Sequence, residues 1–282
     1  MIFSCPGLES DITSEQVIQT LFQKEGETAH ALLAAAQYEQ QKNDSLFITF
    51  PIGLTLETEA FGGKVTQDAN GRRISQIPFH SIEEMLLSQP CRVDQGIVRE
   101  TMAAIRMTRE EAVILKVSGA SAVLLNLIGM AELCRAMRKK PKLLHKALGK
   151  INDWLFHYIQ EGLKQGVSII SFSDTGCSFG LLRQKDYQEF VGDYQVELFA
   201  RLQRASYKGV IHVCGVTSAA LQNSGFITMS LLDGKGMSLG KSLLEMAKRE
   251  EVAFFGHSCL KQEKKKMDFL YQIHFLNKKR SD

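Results

Sequence analysis

The chain has 282 residues, of which 44% are hydrophobic and 23% are charged. This is the balance of an ordinary globular protein, and it excludes a chain that is disordered over most of its length. The formal net charge is only +3, from 34 Lys and Arg against 31 Asp and Glu. The basic residues are mostly interleaved with acidic ones instead of gathered on one face, so no nucleic-acid partner is expected.

The start of the chain and its cysteines indicate a cytoplasmic protein. Residues 1–6 have no basic segment followed by a long apolar stretch, so no secretory signal is predicted. The most apolar run, 120–131, contains Ser121, Asn126 and Gly129 and falls short of the roughly 20 residues that cross a bilayer, so no membrane contact is expected. The six cysteines are scattered without a CxxC pair, which is typical of a reduced compartment.

Short apolar runs of strand length occur along the whole chain, and most of them are followed by Gly, Pro or Asp. They cover residues 1–5, 46–50, 112–117, 167–172, 209–213, 227–232, 252–255 and 269–276. Continuous apolar runs of this kind are typical of strands that are buried on both faces of a parallel sheet. The sequence therefore predicts eight such strands.

Longer segments with helical spacing lie between most of these runs. One of them, 81–87, begins with Ser81 and has Glu84 three residues later, which is a capping-box pattern. The alternation predicts an α/β protein, a single (β/α)8 TIM-barrel domain over residues 1–282 with a hairpin-like insertion at 62–78. Barrel enzymes place their chemistry just past the C-terminal ends of the strands, so reactive side chains there are candidates.

The densest group of such side chains ends the fifth run, where His212 and Cys214 are separated by one residue. Side chains at positions i and i+2 of a strand project to the same face, so an imidazole and a thiol converge there. This donor pair suits zinc. Cys259 and His257, after the seventh run, could reach the same place. The spacing is equally consistent with a polar core residue beside a small buried thiol.

Several segments together resemble one protein family. Residues 211–217 read IHVCGVT and are followed by Leu221. This segment resembles the conserved HxCG(N)T segment of the uroporphyrinogen decarboxylase-like superfamily, and it looks most like the branch of zinc-dependent, corrinoid-linked methyltransferases. Residues 50–63, FPIGLTLETEAFGG, are similar to that branch's PFxLTVEAEALGA. Further likenesses near Pro78, Gly119 and 166–174 follow in the same order, so the resemblance spans residues 46–260.

The resemblance implies a TIM-barrel methyltransferase in which Zn²⁺, held by His212 and Cys214, binds and deprotonates a small-molecule thiol. A free thiol has a pKa of ~8.5 and is mostly protonated at neutral pH, whereas coordination to zinc removes the proton. The methyl group would come from a methylcorrinoid on a partner corrinoid protein, and the acceptor would be a thiol or a folate-type molecule. A homodimer is left open.

The chain departs from the family at the third zinc ligand, which in the family is a Cys just after the last strand. Here residues 277–280 read NKKR. We therefore predict Cys259 as the third ligand, with His257 and His274 as alternatives. A further alternative is that none of them substitutes and zinc binding is weakened. We also expect a barrel shortened at its N- and C-terminal ends, because the first run begins at Met1 and no helix follows the last run.

Asp174 directly follows the fourth run and is the predicted catalytic residue. It would orient a substrate or the imidazole of a metal ligand. The alternative is that its carboxylate caps the next helix or turn, as Asp commonly does.

Three other functions stay open. The first is a uroporphyrinogen decarboxylase-type enzyme of porphyrin metabolism, which is disfavoured because residues 5–10 read CPGLES where that branch carries an arginine-rich segment. Such a substrate needs cations to bind its carboxylates. The second is a non-catalytic module that binds a corrinoid or tetrapyrrole. The third is a subunit that acts only beside a partner.

Overall fold

The computed structural model of the chain describes residues 12–68, 71–108, 112–176, 182–205, 207–249 and 252–276. The predicted strand over 1–5 lies outside the described residues, as do Cys5 and Cys177. All statements below refer to the described ranges.

The helices of the described residues alternate with strands along most of the chain. They are α1 (Ile12–Glu25), α2 (Ala29–Asn43), α3 (Leu56–Ala60), α4 (Ile82–Leu87), α5 (Gly96–Met107), α6 (Ala120–Lys139), α7 (Pro141–Lys164), α8 (Gln184–Tyr187), α9 (Asp193–Arg204), α10 (Gly215–Asn223) and α11 (Leu239–Ala247). A π-helical stretch, Gln188–Gly192, joins α8 to α9, and a 3₁₀ turn spans Leu260–Gln262.

The strands form one seven-stranded sheet and one hairpin. They are β1 (Ile48–Phe50), β2 (Lys64–Asp68), β3 (Gly71–Gln76), β4 (Val113–Ser118), β5 (Ile169–Ser173), β6 (Gly209–Cys214), β7 (Ile227–Asp233), β8 (Val252–Ser258) and β9 (Phe269–Phe275). The strand order of the large sheet is β1-β4-β5-β6-β8-β9-β7. Strands β2 and β3 pair antiparallel within the predicted insertion 62–78.

The α/β class is confirmed, and seven of the predicted runs are strands. The first five strands of the sheet order are parallel, whereas β9 runs antiparallel to both β8 and β7. Only the short stretch 259–268 joins β8 to β9, which is too short for the crossover that a parallel pair requires. Among the described residues, β1 and β7 are therefore edge strands, and the sheet is not closed between them.

Alternate side chains of the strands enter two different cores, because successive residues of a strand point to opposite faces. Leu115, Ile170 and Ile211 belong to the larger core, which includes residues of α6, α7 and α9. Their strand neighbours Ile114, Ile169 and Val210 pack with Leu239 and Leu243 of α11 on what we call the inner face. Helix α11 thus covers the inner face at the N-terminal half of these strands.

Within the described ranges, one helix, α6, is long and apolar enough to cross a membrane when it is judged by length and composition alone. Gly129 interrupts it with a non-helical φ of 74° and ψ of 163°. Each arm is therefore much shorter than the roughly 20 residues that span a bilayer. More than half of the apolar window is buried inside the fold, as expected for a core helix.

Candidate functional site

A row of three polar side chains crosses the inner face above the layer that packs on α11. Lys116 of β4 is in register with Ser171 of β5, which is in register with His212 of β6. Residues in register on neighbouring strands project to the same face, so these three side chains share the inner face. Lys116 and Ser171 are half-buried and His212 is buried. We call this set the polar row.

His212 is a buried, neutral imidazole with one free ring nitrogen. Its side chain is 2% exposed, and its Nε2 lies 3.1 Å from the Ser258 hydroxyl. Its Nδ1 is buried and has no hydrogen-bond partner. Burial lowers the pKa of His212 to about 4, and a hydrogen bond with Ser258 opposes this only in part. At neutral pH the ring therefore carries no charge.

A β-bulge in β8 sets the surroundings of His212. His212 pairs with Phe255, but Cys214 pairs with Ser258, so β8 contains one residue more than β6 over this interval. The bulged stretch of β8 includes His257, whose φ is +52°. Bulges of this kind redirect side chains. Here Ser258 contacts His212, while half-buried Cys214 ends β6 and forms the N-cap of α10.

The alternative third metal ligands have partners of their own. His257 contacts α10, with Nδ1 2.9 Å from the Ser218 hydroxyl and Nε2 2.6 Å from Gln222 Oε1. Burial lowers the pKa of His257. His274 is exposed on β9, with Nε2 2.6 Å from the hydroxyl of Ser230. Both imidazoles are thus engaged with neighbouring side chains.

The described residues contain no group of three or more His, Cys, Asp or Glu side chains that is arranged to hold a metal ion. His212 and Cys214 lie at the same strand end, as predicted, and the unpartnered Nδ1 of His212 is a suitable donor atom. Cys259 is half-buried at the start of the 3₁₀ turn. The three side chains do not form a complete zinc site within the described ranges, so zinc binding stays a prediction.

Asp174 has the contacts of a helix cap. Its carboxylate is buried and accepts hydrogen bonds from the Ser121 hydroxyl at 2.6 Å and the Ala122 N–H at 2.8 Å, both in the first turn of α6. Its other oxygen accepts a hydrogen bond from the Gln195 amide at 2.9 Å. Burial raises the pKa of Asp174. None of the hydrogen bonds found for the described residues joins Asp174 to His212, and its catalytic role stays a prediction.

Sequence analysis missed Glu57, which lies in α3 just past the end of β1. It is 1% exposed, and its Oε1 accepts a hydrogen bond from the Ser118 N–H at 2.7 Å. Its Oε2 is buried without a partner. Burial raises the pKa of Glu57 to about 7, and the hydrogen bond from Ser118 opposes that rise. The available signal was a carboxyl group in the segment 50–63, which follows the first buried strand of the sheet.

Sequence analysis also missed Lys116. Burial lowers the pKa of its ammonium group, and the nearby carboxyl groups of Glu39 and Glu57 oppose this. The available signal was a single lysine within the otherwise apolar run AVILKV at residues 112–117. Such a residue is expensive to place in a sheet interior unless its charge has partners.

Comparison with known proteins assigns the family. The family described as uroporphyrinogen decarboxylase (URO-D) matches residues 22–255. The chain belongs to this family. No curated protein sequence matches the chain. Among solved structures, a methyltransferase from Methanosarcina mazei has a similar fold, with a TM-score of 0.62 and 16% sequence identity over 84% of this chain and 73% of that chain.

These matches confirm both the resemblance stated from the sequence and the uroporphyrinogen decarboxylase-like fold. In this member of the uroporphyrinogen decarboxylase family, the two segments quoted above for their resemblance to the family lie at strand ends. Residues 50–63 run from the end of β1 through α3, and residues 211–217 run from β6 into α10. Glu57 lies in the first segment, and His212 and Cys214 lie in the second.

Proposed function

We propose that this chain is a methyltransferase that moves a methyl group between a corrinoid on a separate protein and a small thiol or folate-type acceptor. The observation that carries the proposal is the pair of His212 and Cys214 at the end of β6, with the buried Nδ1 of His212 free of any partner. The fold shared with the methyltransferase from Methanosarcina mazei supports it.

The inner face suits a ligand that enters from the C-terminal ends of the parallel strands. Its N-terminal half is closed by an apolar layer that includes Ile114, Val210 and Leu243. Above that layer lie the polar row and Cys214, most of which are only half-buried. A small molecule bound there would rest on an apolar floor and meet polar groups on its sides, which is a common arrangement in ligand sites.

His212 and Cys214 would hold a zinc ion, and zinc would supply a Lewis acid that lowers the pKa of a bound thiol. The residues of the chain prepare His212 for this role. Ser258 contacts Nε2 and thereby orients the ring, while burial keeps the ring neutral, as a ligating imidazole must be. The ring atom left free is Nδ1.

A second candidate is a module that binds a corrinoid or tetrapyrrole without chemistry. It is favoured by the lack of a three-ligand metal group within the described ranges.

Product analysis separates the candidates. The purified protein is incubated with methylcobalamin carrying a ¹³C-labelled methyl group and with 2-mercaptoethanol, and the products are identified by mass spectrometry. The labelled thioether is the expected product, at a rate above that of the mixture without protein. Tight corrinoid binding without thioether would contradict the proposal and favour the module. Loss of carbon dioxide from uroporphyrinogen would instead establish a decarboxylase.

A further inference from the structure

The carboxyl group of Glu57 is placed as a proton acceptor rather than as a structural anchor. Its Oε1 is bound by the Ser118 N–H, yet its Oε2 is buried and has no partner. A buried acceptor atom that stays unsatisfied costs about 1–3 kcal/mol of stability. Asp174 is buried in the same fold, and hydrogen bonds reach both of its oxygens. The free oxygen of Glu57 is therefore a feature that stability alone does not explain.

Lys116 connects Glu57 to the inner face. It lies on β4 two residues before Ser118, whose backbone N–H binds Glu57. Lys116 also lies close enough to Glu57 for the two charges to influence each other. Through the polar row, Lys116 is aligned with Ser171 and then with His212. A ligand that extends from His212 across Ser171 on the inner face would therefore reach the ammonium group.

The other ionisable groups around Glu57 and Lys116 act on the two charges in both directions. Glu59 acts on Glu57 as a neighbouring carboxylate, but it is bound by Arg72 at 2.7 Å, and Tyr158 is a buried phenol within electrostatic reach of Glu57. Around Lys116, the carboxyl groups of Glu39 and Glu15 favour the charged ammonium, whereas Lys261 disfavours it.

We propose that Glu57 is the proton acceptor of this site for a thiol substrate, and that the ammonium group of Lys116 stabilises the thiolate that results. This proposal rests on the proposed methyl transfer. Whether or not a metal binds the sulfur, the thiol must lose its proton before the sulfur attacks, and a carboxylate inside the site is a suitable first acceptor.

The S–H bond of the thiol breaks, and its proton passes to Oε2 of the Glu57 carboxylate. Because Oε2 is buried, the proton reaches it through one intervening water molecule. The carboxylate becomes a neutral carboxylic acid. The thiolate then attacks the methyl carbon of the methylcorrinoid, so that an S–C bond forms and the Co–C bond breaks. The electron pair of the Co–C bond stays on cobalt, which is reduced from Co(III) to Co(I).

A first test measures the proton itself and needs no substrate. Infrared difference spectra between pH 5 and pH 9 report the carbonyl band of a protonated carboxyl group. The wild type should lose such a band with a midpoint near pH 7, and Glu57→Gln should lack this component. Glu132→Gln is the matched control, since Glu132 is also buried and accepts a backbone hydrogen bond from the Ile82 N–H, but its second oxygen is bound by Arg135. A carbonyl band that still titrates with a midpoint near pH 7 in Glu57→Gln would overturn the proposal.

A second test compares two thiol substrates of different acidity. General-base catalysis typically contributes about 10²–10⁴-fold, so Glu57→Gln should slow methyl transfer to 2-mercaptoethanol by at least ~100-fold. With 4-nitrothiophenol, which is already a thiolate at neutral pH, the deficit should shrink to less than about 10-fold, because no proton remains to be removed. An equal deficit with both thiols would show a merely structural role and overturn the proposal. Glu132→Gln should transfer methyl to both thiols at the wild-type rate.

Failure of the proposed function and failure of the proposed role of Glu57 give different results. A wild-type protein that methylates neither thiol overturns the proposed function and, with it, the role of Glu57 in the reaction. In that case the infrared titration still shows whether Glu57 is a buried acid. A wild-type protein that methylates both thiols, with a Glu57→Gln variant that is unimpaired on both, overturns the role of Glu57 alone.

Discussion

The carboxylate of Asp174, at the end of β5, accepts a hydrogen bond from the Ser121 hydroxyl at 2.6 Å. This contact, together with that to the Ala122 N–H, fastens the first turn of α6 to the sheet. The start of a helix has unsatisfied N–H groups and a partial positive charge, so a buried carboxylate is a favourable partner there. The Gln195 amide of α9 completes the cluster.

Asp174→Ala should lower the free energy of unfolding by about 3 kcal/mol, because it leaves several buried donors without an acceptor. Denaturant unfolding followed by circular dichroism measures the change. Asp233→Ala is the control: Asp233 is exposed and accepts a hydrogen bond from the Lys235 N–H, so its removal should cost less than about 1 kcal/mol. Equal losses in the two variants would contradict the assigned role of Asp174.

Gly119, the N-cap of α6, has no room for a side chain. A Cβ atom there would overlap the carboxyl group of Asp174. We expect Gly119→Ala to lower the free energy of unfolding by about 2 kcal/mol. Gly149, inside α7, has open space around its Cβ position. Gly149→Ala should therefore stabilise the protein by up to about 1 kcal/mol, since Ala favours a helix. A stabilised Gly119→Ala variant would show that Asp174 is free to move.

Much of this architecture was predictable from local patterns. The strand β4 and the helix α4 follow from an apolar run and a capping box, and Ser81 does accept a hydrogen bond from the Glu84 N–H at 3.1 Å. The reversed direction of β9, which runs antiparallel to β8 and β7, was not predictable, because an apolar run gives the length of a strand and not its direction. Direction depends on the connection and on the neighbouring strands.

The candidate site was predictable only in part. The pair of His212 and Cys214 lies on one strand, so its position followed from the sequence. The bulge at His257 could not be foreseen, because it places a residue other than Gly at a positive φ. Glu57 and Lys116 come from elements that are distant along the chain, and their relation to the inner face requires the register of β4, β5 and β6.

The buried carboxyl of Glu57 makes stability depend on pH. Its pKa is raised from 4.5 to about 7 in the folded protein. Between these values the folded state binds a proton that the unfolded state has lost, so its contribution to stability is fully present below pH 4.5 and is lost as pH rises through 7. The loss amounts to about 3 kcal/mol. Glu57→Gln cannot ionise, so the difference in unfolding free energy between this variant and the wild type should change by that amount across the window. A difference that is constant with pH would contradict the raised pKa.

Zinc binding can be tested by metal analysis of freshly purified protein. If His212 and Cys214 are ligands, the wild type should contain about one zinc per chain and Cys214→Ser should lose it, because a hydroxyl is a poor substitute for a thiolate. Cys134→Ser is the matched control, since Cys134 is half-buried in α6. Metal contents near zero in all three proteins would rule out a resident zinc ion while leaving the fold unchanged.

In the proposed reaction, methyl transfer occurs beside His212 on the inner face. Stopped-flow absorbance follows the conversion of methylcobalamin to its Co(I) form in the presence of thiol, for the wild type and for His212→Ala. We expect protein-dependent conversion by the wild type and a loss of at least ~100-fold in His212→Ala. The control variant His157→Ala, on the surface of α7, should match the wild type. Conversion at the wild-type rate by His212→Ala would contradict the claim.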